Sequence, residues 1–282
     1  VVHGDRVEAL AGASVGALCG VPVAHVEGGE RSGTVDGTLR HAISKLSHLH
    51  LVANDDAARR VVQLGEDPTT VRVIGSPDID VMLSEELPTI DDVRAAYEIP
   101  FERYAVVLFH GVTTQPPERS GEQVAALLDA LGDVGLDAVV IYPNNDPGSR
   151  AILDVYEQRG DDPRLRIFPS IRFEAFLSLM DHAAVVVGNS SAGIREAPVY
   201  GVPSINIGDR QRERFRHPSI VSCAGERAAI VDALRTALDG ERQPASDHFG
   251  RGDAGHRFAE LLAEPETWAI DLEKRFVDLD ER

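Results

Sequence analysis

A chain of 282 residues that is 43% hydrophobic is long enough for two domains with real cores, and it shows no apolar run of membrane-spanning length and no signal-peptide pattern. Forty-six acidic residues against 28 basic give a formal charge of −18, which repels nucleic acid and anionic membranes and argues against both as partners. Lys45 and Lys274 are the only lysines, and the two cysteines, Cys19 and Cys223, stand apart without metal-ligand spacing, as expected of free thiols in a reducing cytoplasm.

Adaptation to high salt is one reading of the acidic balance; an ordinary acidic protein from an arginine-rich proteome is the other. Val1 to Asp5 reads as the end of a strand followed by a turn, an opening that predicts a preceding segment. Val7 to Leu18 is an Ala-rich helix broken by Gly20-Val21-Pro22, and Val23 to Val26 is a strand ending at Glu27-Gly28-Gly29-Glu30. Thr34 to His48 is a helix with Asp36, Arg40 and Lys45 on neighbouring turns; Leu49 to Ala53 is a strand, Asp55 to Leu64 a helix. Val71 to Ile74 is a strand closed by Gly75-Ser76-Pro77. Apolar, non-alternating strands between helices predict a parallel sheet covered on both faces.

Residues 84–103 are acidic, carry Pro88 and Pro100, and read as a crossing into a second domain. That domain offers strands at Tyr104 to Phe109, Ala138 to Tyr142, Leu165 to Phe168, Ala183 to Val187, Ser204 to Ile207 and near Ile220. Its helices are expected around Gly121 to Leu131, Ser149 to Arg159, Phe173 to Met180, Ala192 to Val199 and Glu226 to Leu238. A Gly-rich turn, Phe249 to Asp253, and two more helices close the chain. The division expected is residues 1–88, then 89–265, with 266–282 a helix packing back on the first domain.

Polar residues gather where strands end: Asp5 and Arg6, Glu27 and Glu30, His110, Asn144, Ser190 and Ser191. Two parallel sheets with such edges suggest two domains facing across a ligand cleft. Asp5 and Glu27 follow adjacent strands, and paired carboxylates divide acid and base roles when burial raises one pKa; a lone carboxylate there equally serves as a helix cap. The spacings of His3, His25, His41, His48 and His50 fit no tight metal-ligand set, and helical or core roles suit most of them. His110, before a Thr-rich turn, suits phosphate binding or proton transfer. Ser190 and Ser191 suit a phosphate at a helix start or a plain helix cap. Arg210, Arg212, Arg214 and Arg216 form a basic run able to neutralise a diphosphate. Pattern alone therefore gives an α/β enzyme for a phosphate-bearing ligand, without its reaction.

Longer motifs add the reaction. HGDRVEALAGASVGALCGVPVAHVEGGERSGTVDGTLRHAISKLSHLHLVAN resembles the hydrolysing UDP-N-acetylglucosamine 2-epimerases, particularly the bacterial sialic-acid-pathway type. The resemblance continues through LGEDP, GSPDIDVM, YPNNDPGS, FPSIRFEAFL, GNSSAGIREAPVYGVPSIN, Arg210-Gln211, PETW and KRFVDL, essentially the whole chain. It implies a GT-B-like fold of two Rossmann-like domains, with the first incomplete at its start; such proteins carry about a hundred further residues in front, a domain-scale segment. It also implies conversion of UDP-N-acetylglucosamine and water to N-acetylmannosamine and UDP, with no metal or redox cofactor and commonly as a homodimer or homotetramer. Asp5, Glu27 and Asp36 match acid/base carboxylates, Arg40 a charge partner, and His110 the histidine near the pyrophosphate. Ser190 and Ser191 match phosphate-binding serines and Glu196 a ribose contact; Arg6, Asn144 and Arg210 match further nucleotide contacts, and the turn before Phe173 lines the uracil pocket.

Two departures carry expectations. Gly111 stands where the family has proline, which loosens the turn that positions His110. Without the leading strands, the chain is expected to bind UDP weakly through its second domain and to turn over poorly. The same reaction on a UDP-2,4-diacetamido-trideoxyhexose, as in legionaminic-type pathways, and UDP binding without catalysis are the competing readings.

Overall fold

The computed structural model describes residues 1–32, 35–211 and 214–278, which form two units: Val1–Ser84 with Asp247–Arg282, and Glu85–Ser246. Thr34 and Arg212 lie outside the described residues.

The first unit runs β1 (Val2–His3), α1 (Val7–Leu18), β2 (Ala24–Val26), α2 (Val35–Leu46), β3 (Leu49–Val52), α3 (Asp55–Gln63), β4 (Val71–Val73) and α4 (Pro77–Met82). Its four strands pair in parallel in chain order, each joined to the next by a crossover. The strands are apolar on both faces because both are covered. Val26, Leu49, Leu51 and Ile74 pack one core, while Val23 joins Ala9, Ala13 and Ile43 from α1 and α2 in another. Asn54 starts α3 by accepting the Ala57 N–H at 2.9 Å.

The second unit holds α5 (Ile90–Ala96), β5 (Tyr104–Leu108), α6 (Pro117–Asp133), β6 (Asp137–Ile141), α7 (Ser149–Gln158), β7 (Leu165–Phe168), α8 (Phe173–Asp181), β8 (Val185–Gly188), α9 (Ala192–Arg195), β9 (Ser204–Ile207), β10 (Ile220–Cys223) and α10 (Arg227–Asp239). Six parallel strands lie in the order β10-β9-β8-β5-β6-β7. The chain builds outward from β5 to β7, then returns to place β8 on the other side of β5. The strand order therefore reverses between β5 and β8, and open α/β sheets bind ligands outside the carboxyl ends at such a reversal.

Three expectations are corrected. The helix expected over 266–282 is not formed: after a 3-10 turn at Pro265–Trp268 no helix follows among the described residues to 278. Residues 84–103 carry α5, and the second unit begins at Glu85. Thr89 caps α5 by accepting the Asp92 N–H at 3.2 Å, and Val93, Ile99 and Phe101 are buried in the second unit's core. Residues 247–265 belong to the first unit, not the second. The Asp80 carboxylate on α4 accepts the Ala254 and Gly255 N–H groups that open α11 (Ala254–Ala263), at 2.9 and 2.7 Å, and Leu261 joins the core under β2 and β3. Ala192 to Val199 is not one helix: α9 is a single turn, followed by a 3-10 turn at Ala197–Tyr200, because Pro198 has no N–H to continue it. Among the described residues no helix is long and apolar enough to cross a membrane.

Candidate active site

The first unit brings together a set of carboxylates. Strands β1 and β2 pair with His3 opposite Val26, so Asp5 and Glu27, just beyond them, emerge side by side at the carboxyl edge. Arg40, on α2, pairs with the Asp5 carboxylate and donates from Nη1 to the Glu30 carbonyl at 3.2 Å. It is 5% exposed, and a guanidinium so buried requires such partners. Asp36 stands in the first turn of α2, four residues before Arg40 and on the same helix face.

Glu27 is the most constrained member. Its carboxylate accepts the hydroxyl of buried Ser76 on Oε1, and His3 Nε2 lies 3.3 Å from Oε2. Its backbone is left-handed, with φ of 65°, a conformation that costs a non-glycine residue roughly 1–3 kcal/mol and tends to persist at functional sites. Behind it His25 is fully buried, and burial, only partly offset by a hydrogen bond to Gly4, holds its pKa down at about 4. The neutral ring donates from Nε2 to the Gly4 carbonyl at 2.8 Å, which leaves Nδ1 to accept the Ser44 hydroxyl at 3.0 Å. The turn carrying Asp5 is thereby tied to the helix carrying Arg40.

The second unit gathers its polar residues at the reversal between β5 and β8. His110 follows β5, and Asn189, Ser190 and Ser191 follow β8. Asn189 is buried and clasps the His110 backbone, its Oδ1 accepting the His110 N–H at 2.7 Å and its Nδ2 donating to the His110 carbonyl at 2.8 Å. The Asn189 carbonyl in turn accepts from Arg210 Nη1 at 3.1 Å and Gln211 Nε2 at 2.9 Å. Gly188 permits this join, since a Cβ on it would fall 1.9 Å from the Leu108 carbonyl oxygen. Burial, with Arg210 adding to it, holds the His110 pKa at about 4. The ring is neutral at pH 7 and its Nδ1 accepts the Asn144 N–H at 3.1 Å, so its proton sits on Nε2. Asn144 also donates to Asp146 at 2.6 Å, and Asp146 lies 3.8 Å from Arg210. Among the described residues Ser191 makes no side-chain capping bond, and the Ser190 hydroxyl takes a long one, 3.4 Å, from Ala192.

Residues 1–263 match the family model described as UDP-N-acetylglucosamine 2-epimerase. The chain belongs to the UDP-N-acetylglucosamine 2-epimerase family. It is 49% identical over 283 residues to a UDP-N-acetylglucosamine 2-epimerase of Neisseria meningitidis, covering 99% of this chain and 74% of that protein. It is 33% identical over 260 residues to the UDP-N,N'-diacetylbacillosamine 2-epimerase (hydrolyzing) of Legionella pneumophila, covering 92% and 69% of the two chains. Among solved structures, the Methanocaldococcus jannaschii UDP-GlcNAc 2-epimerase in complex with UDP-GlcNAc and UDP superposes with a TM-score of 0.80 at 20% identity, over 93% of this chain and 74% of that one. The fold is thus the GT-B-like one of the epimerases.

The residues expected from the epimerase resemblance fall into two groups, one on each unit. Asp5, Glu27, Asp36 and Arg40 lie in the first; His110, Asn144, Ser190, Ser191 and Arg210 gather in the second. Arg6 is exposed at the start of α1, Phe173 is 41% exposed as the first residue of α8, and Glu196 is half-buried after α9. A Cβ at Gly111 would meet the Pro147 carbonyl oxygen at 2.2 Å, so glycine lets the 143–148 loop close on His110. Sequence reasoning missed Ser76, Asp146 and Asn189 as parts of the site; the signal for Asn189 was an asparagine in the turn directly after a strand, a residue that bonds nearby backbone. Among the described residues no group of three or more His, Cys, Asp or Glu is placed to hold a metal ion. A cavity of about 430 Å³ lies where the returning tail meets the β3–β4 region, lined by His48, Glu66, Thr267 and Lys274 among others and by none of the site carboxylates.

Proposed function

We propose that this chain is a hydrolysing epimerase that converts UDP-N-acetylglucosamine and water to N-acetylmannosamine and UDP, in the cytoplasm, for sialic-acid-type sugar synthesis. The observation that carries the reading is the pair of carboxylates on adjacent parallel strand ends, Asp5 held by buried Arg40 and Glu27 held by Ser76 and His3. One carboxylate among Asp5, Glu27 and Asp36 removes the C2 proton. The C2–H electron pair becomes the C1=C2 double bond of a glycal, and the C1–O pair leaves with UDP. Water then adds its oxygen to C1 and loses a proton, while a second carboxylate returns a proton to C2 on the opposite face. The sequence has no net oxidation, so it needs no redox cofactor, and no step calls on a metal.

The second unit takes the nucleotide in this reading. Ser190, Ser191 and Arg210 bind the diphosphate, Glu196 accepts the ribose hydroxyls, and Asn144 and the turn before Phe173 complete the pocket on this unit. His110 is neutral with its proton on Nε2, and that N–H donates a hydrogen bond to the leaving diphosphate, stabilising the negative charge as it develops. The protein works as a dimer or tetramer, to be checked by sedimentation.

The reaction run in D2O tests the proposal. Free N-acetylmannosamine with deuterium at C2, and UDP in equal amount, is the expected result. Deuterium in a sugar still attached to UDP would overturn the hydrolysing assignment. A second substrate is favoured by the 33% identity to the Legionella protein, and competition between UDP-N-acetylglucosamine and UDP-2,4-diacetamido-trideoxyhexose separates the two. Calorimetric UDP binding without any UDP release from either sugar would leave only a binding role.

A further inference from the structure

The elimination–addition reading leaves a proton imbalance on the protein. In each turnover the base ends one proton richer and the acid one proton poorer. The two act on opposite faces of the sugar, so neither resets the other directly. With Glu27 as one of these two carboxylates, base or acid, it must exchange one proton per cycle with its surroundings. Yet Glu27 is 6% exposed, and the Ser76 hydroxyl on its Oε1 is itself fully buried. A serine hydroxyl that donates to a carboxylate orients it but is far too weakly acidic or basic to carry its proton away.

His3 has the position and chemistry that this exchange requires. Its Nε2 lies 3.3 Å from Glu27 Oε2, while its side chain is 48% exposed, so one ring spans from a buried carboxylate to solvent. The contact is built into the sheet. His3 ends β1 opposite Val26 of β2, and the left-handed backbone at Glu27 breaks strand alternation at the residue whose carboxylate meets the ring. Of the other titratable groups at this edge, Asp5 pairs with Arg40, and His25 bonds Gly4 and Ser44. Imidazole is the side chain that accepts a proton on one nitrogen and releases one from the other near neutral pH.

Resting on that reading, we propose that His3 is the proton relay between Glu27 and solvent. To discharge Glu27, the carboxylic acid O–H gives its proton to Nε2 and the imidazolium releases the Nδ1 proton to water. To recharge it, water or buffer protonates Nδ1 and Nε2–H passes its proton to the carboxylate. The ring regains its starting tautomer by exchange with solvent, and no other reactant is consumed. His3 acts through Glu27 and does not need to touch the sugar.

The test compares wild type, His3→Gln, His3→Ala and Glu27→Gln by UDP release from UDP-N-acetylglucosamine at several imidazole concentrations. Glutamine keeps a donor toward Oε2 but carries no exchangeable charge. The expected result is a kcat about 10- to 100-fold lower in both His3 variants, at the low end of general acid–base effects, with KM and UDP affinity near wild type. Added imidazole raises kcat of both variants in proportion to its concentration and leaves wild type unchanged, while Glu27→Gln is inactive and not rescued. A His3→Gln enzyme with wild-type kcat, or a loss that imidazole does not restore, overturns the relay. A lowered melting temperature with no rescue counts as such a loss. Wild-type turnover with C2 deuteration in those cases leaves the elimination reading standing; wild type that releases no UDP or incorporates no deuterium at C2 overturns both.

Discussion

Two buried histidines make protonation a threat to this chain. His25 in the first unit and His110 in the second are each held near pKa 4, against about 6.5 in an unfolded chain. Between those values the unfolded state binds a proton that the folded state refuses, so stability is full above pH 6.5 and is lost as pH falls toward 4. Each ring accounts for up to about 3 kcal/mol over that window. Urea unfolding at pH 7.5 and pH 4.5 is expected to show the loss, and His25→Phe should flatten the profile of the first unit while lowering its stability overall. A profile unchanged by that substitution would contradict the buried, neutral ring. Asn189 gives a second prediction at this scale. Asn189→Leu keeps the branched shape, with bulkier methyl groups, but strips both partners from the His110 backbone, at about 1–3 kcal/mol for each group left unpaired. UDP affinity measured by calorimetry should fall at least 10-fold, because the His110 backbone loses both bonds that hold it while the carbonyl that takes Arg210 remains; unchanged affinity would separate Asn189 from the site.

At the scale of elements, the tail is the part that holds the first unit together from a distance. Glu66 is buried beside His50 at 2.9 Å, Lys45 at 2.6 Å and Lys274 at 2.7 Å, so the only two lysines of the chain converge on one carboxylate. Burial alone would raise its pKa, but the hydrogen bonds from His50, Lys274 and Lys45 hold it at about 2. Lys274 also donates to the carbonyls of Ser44, Lys45 and Ser47, satisfying the end of α2, the helix that carries Asp36 and Arg40. Lys274→Met should therefore destabilise the first unit by about 3 kcal/mol, read as a lower melting temperature, and leave untouched the UDP binding proposed for the second unit. Loss of UDP affinity at unchanged melting temperature would be the contrary result. Little of this was legible in the sequence, because Lys274 and Glu66 are separated by most of the chain and no periodicity links them. The strands were legible because apolar runs between glycine and proline breaks have a local cause, and so were the carboxylates at their ends. The reversal between β5 and β8 was not, since strand order is a non-local property, and with it went the role of Asn189. The break at Pro198 and the short α5 between Pro88 and Pro100 were local signals that the acidic, proline-bearing context concealed.

The whole molecule combines a charge of −18 with a proposed site for an anion. Repulsion among exposed carboxylates is screened over about 10 Å at 0.1 M salt and about 3 Å at 1 M, whereas buried pairs such as Asp5 with Arg40 are screened far less. Added KCl should thus raise the melting temperature by relieving the surface without weakening the site; a protein that gains nothing has no need of a saline medium. The two units, each with its own cores, also permit a direct assignment of where UDP binds. A ligand stabilises only what it binds when folded, by about 2.7 kcal/mol at a concentration 100 times its Kd. In a calorimetric scan, saturating UDP should raise the transition of Glu85–Ser246 alone, and Lys274→Met identifies the other transition by lowering it. Arg210→Ala, which removes a cation from the β5–β8 reversal, should abolish the UDP shift without moving the first unit. If UDP instead raised the transition that Lys274→Met lowers, the nucleotide would belong with the Asp5 and Glu27 carboxylates, and the division of labour between the two sheets would be reversed.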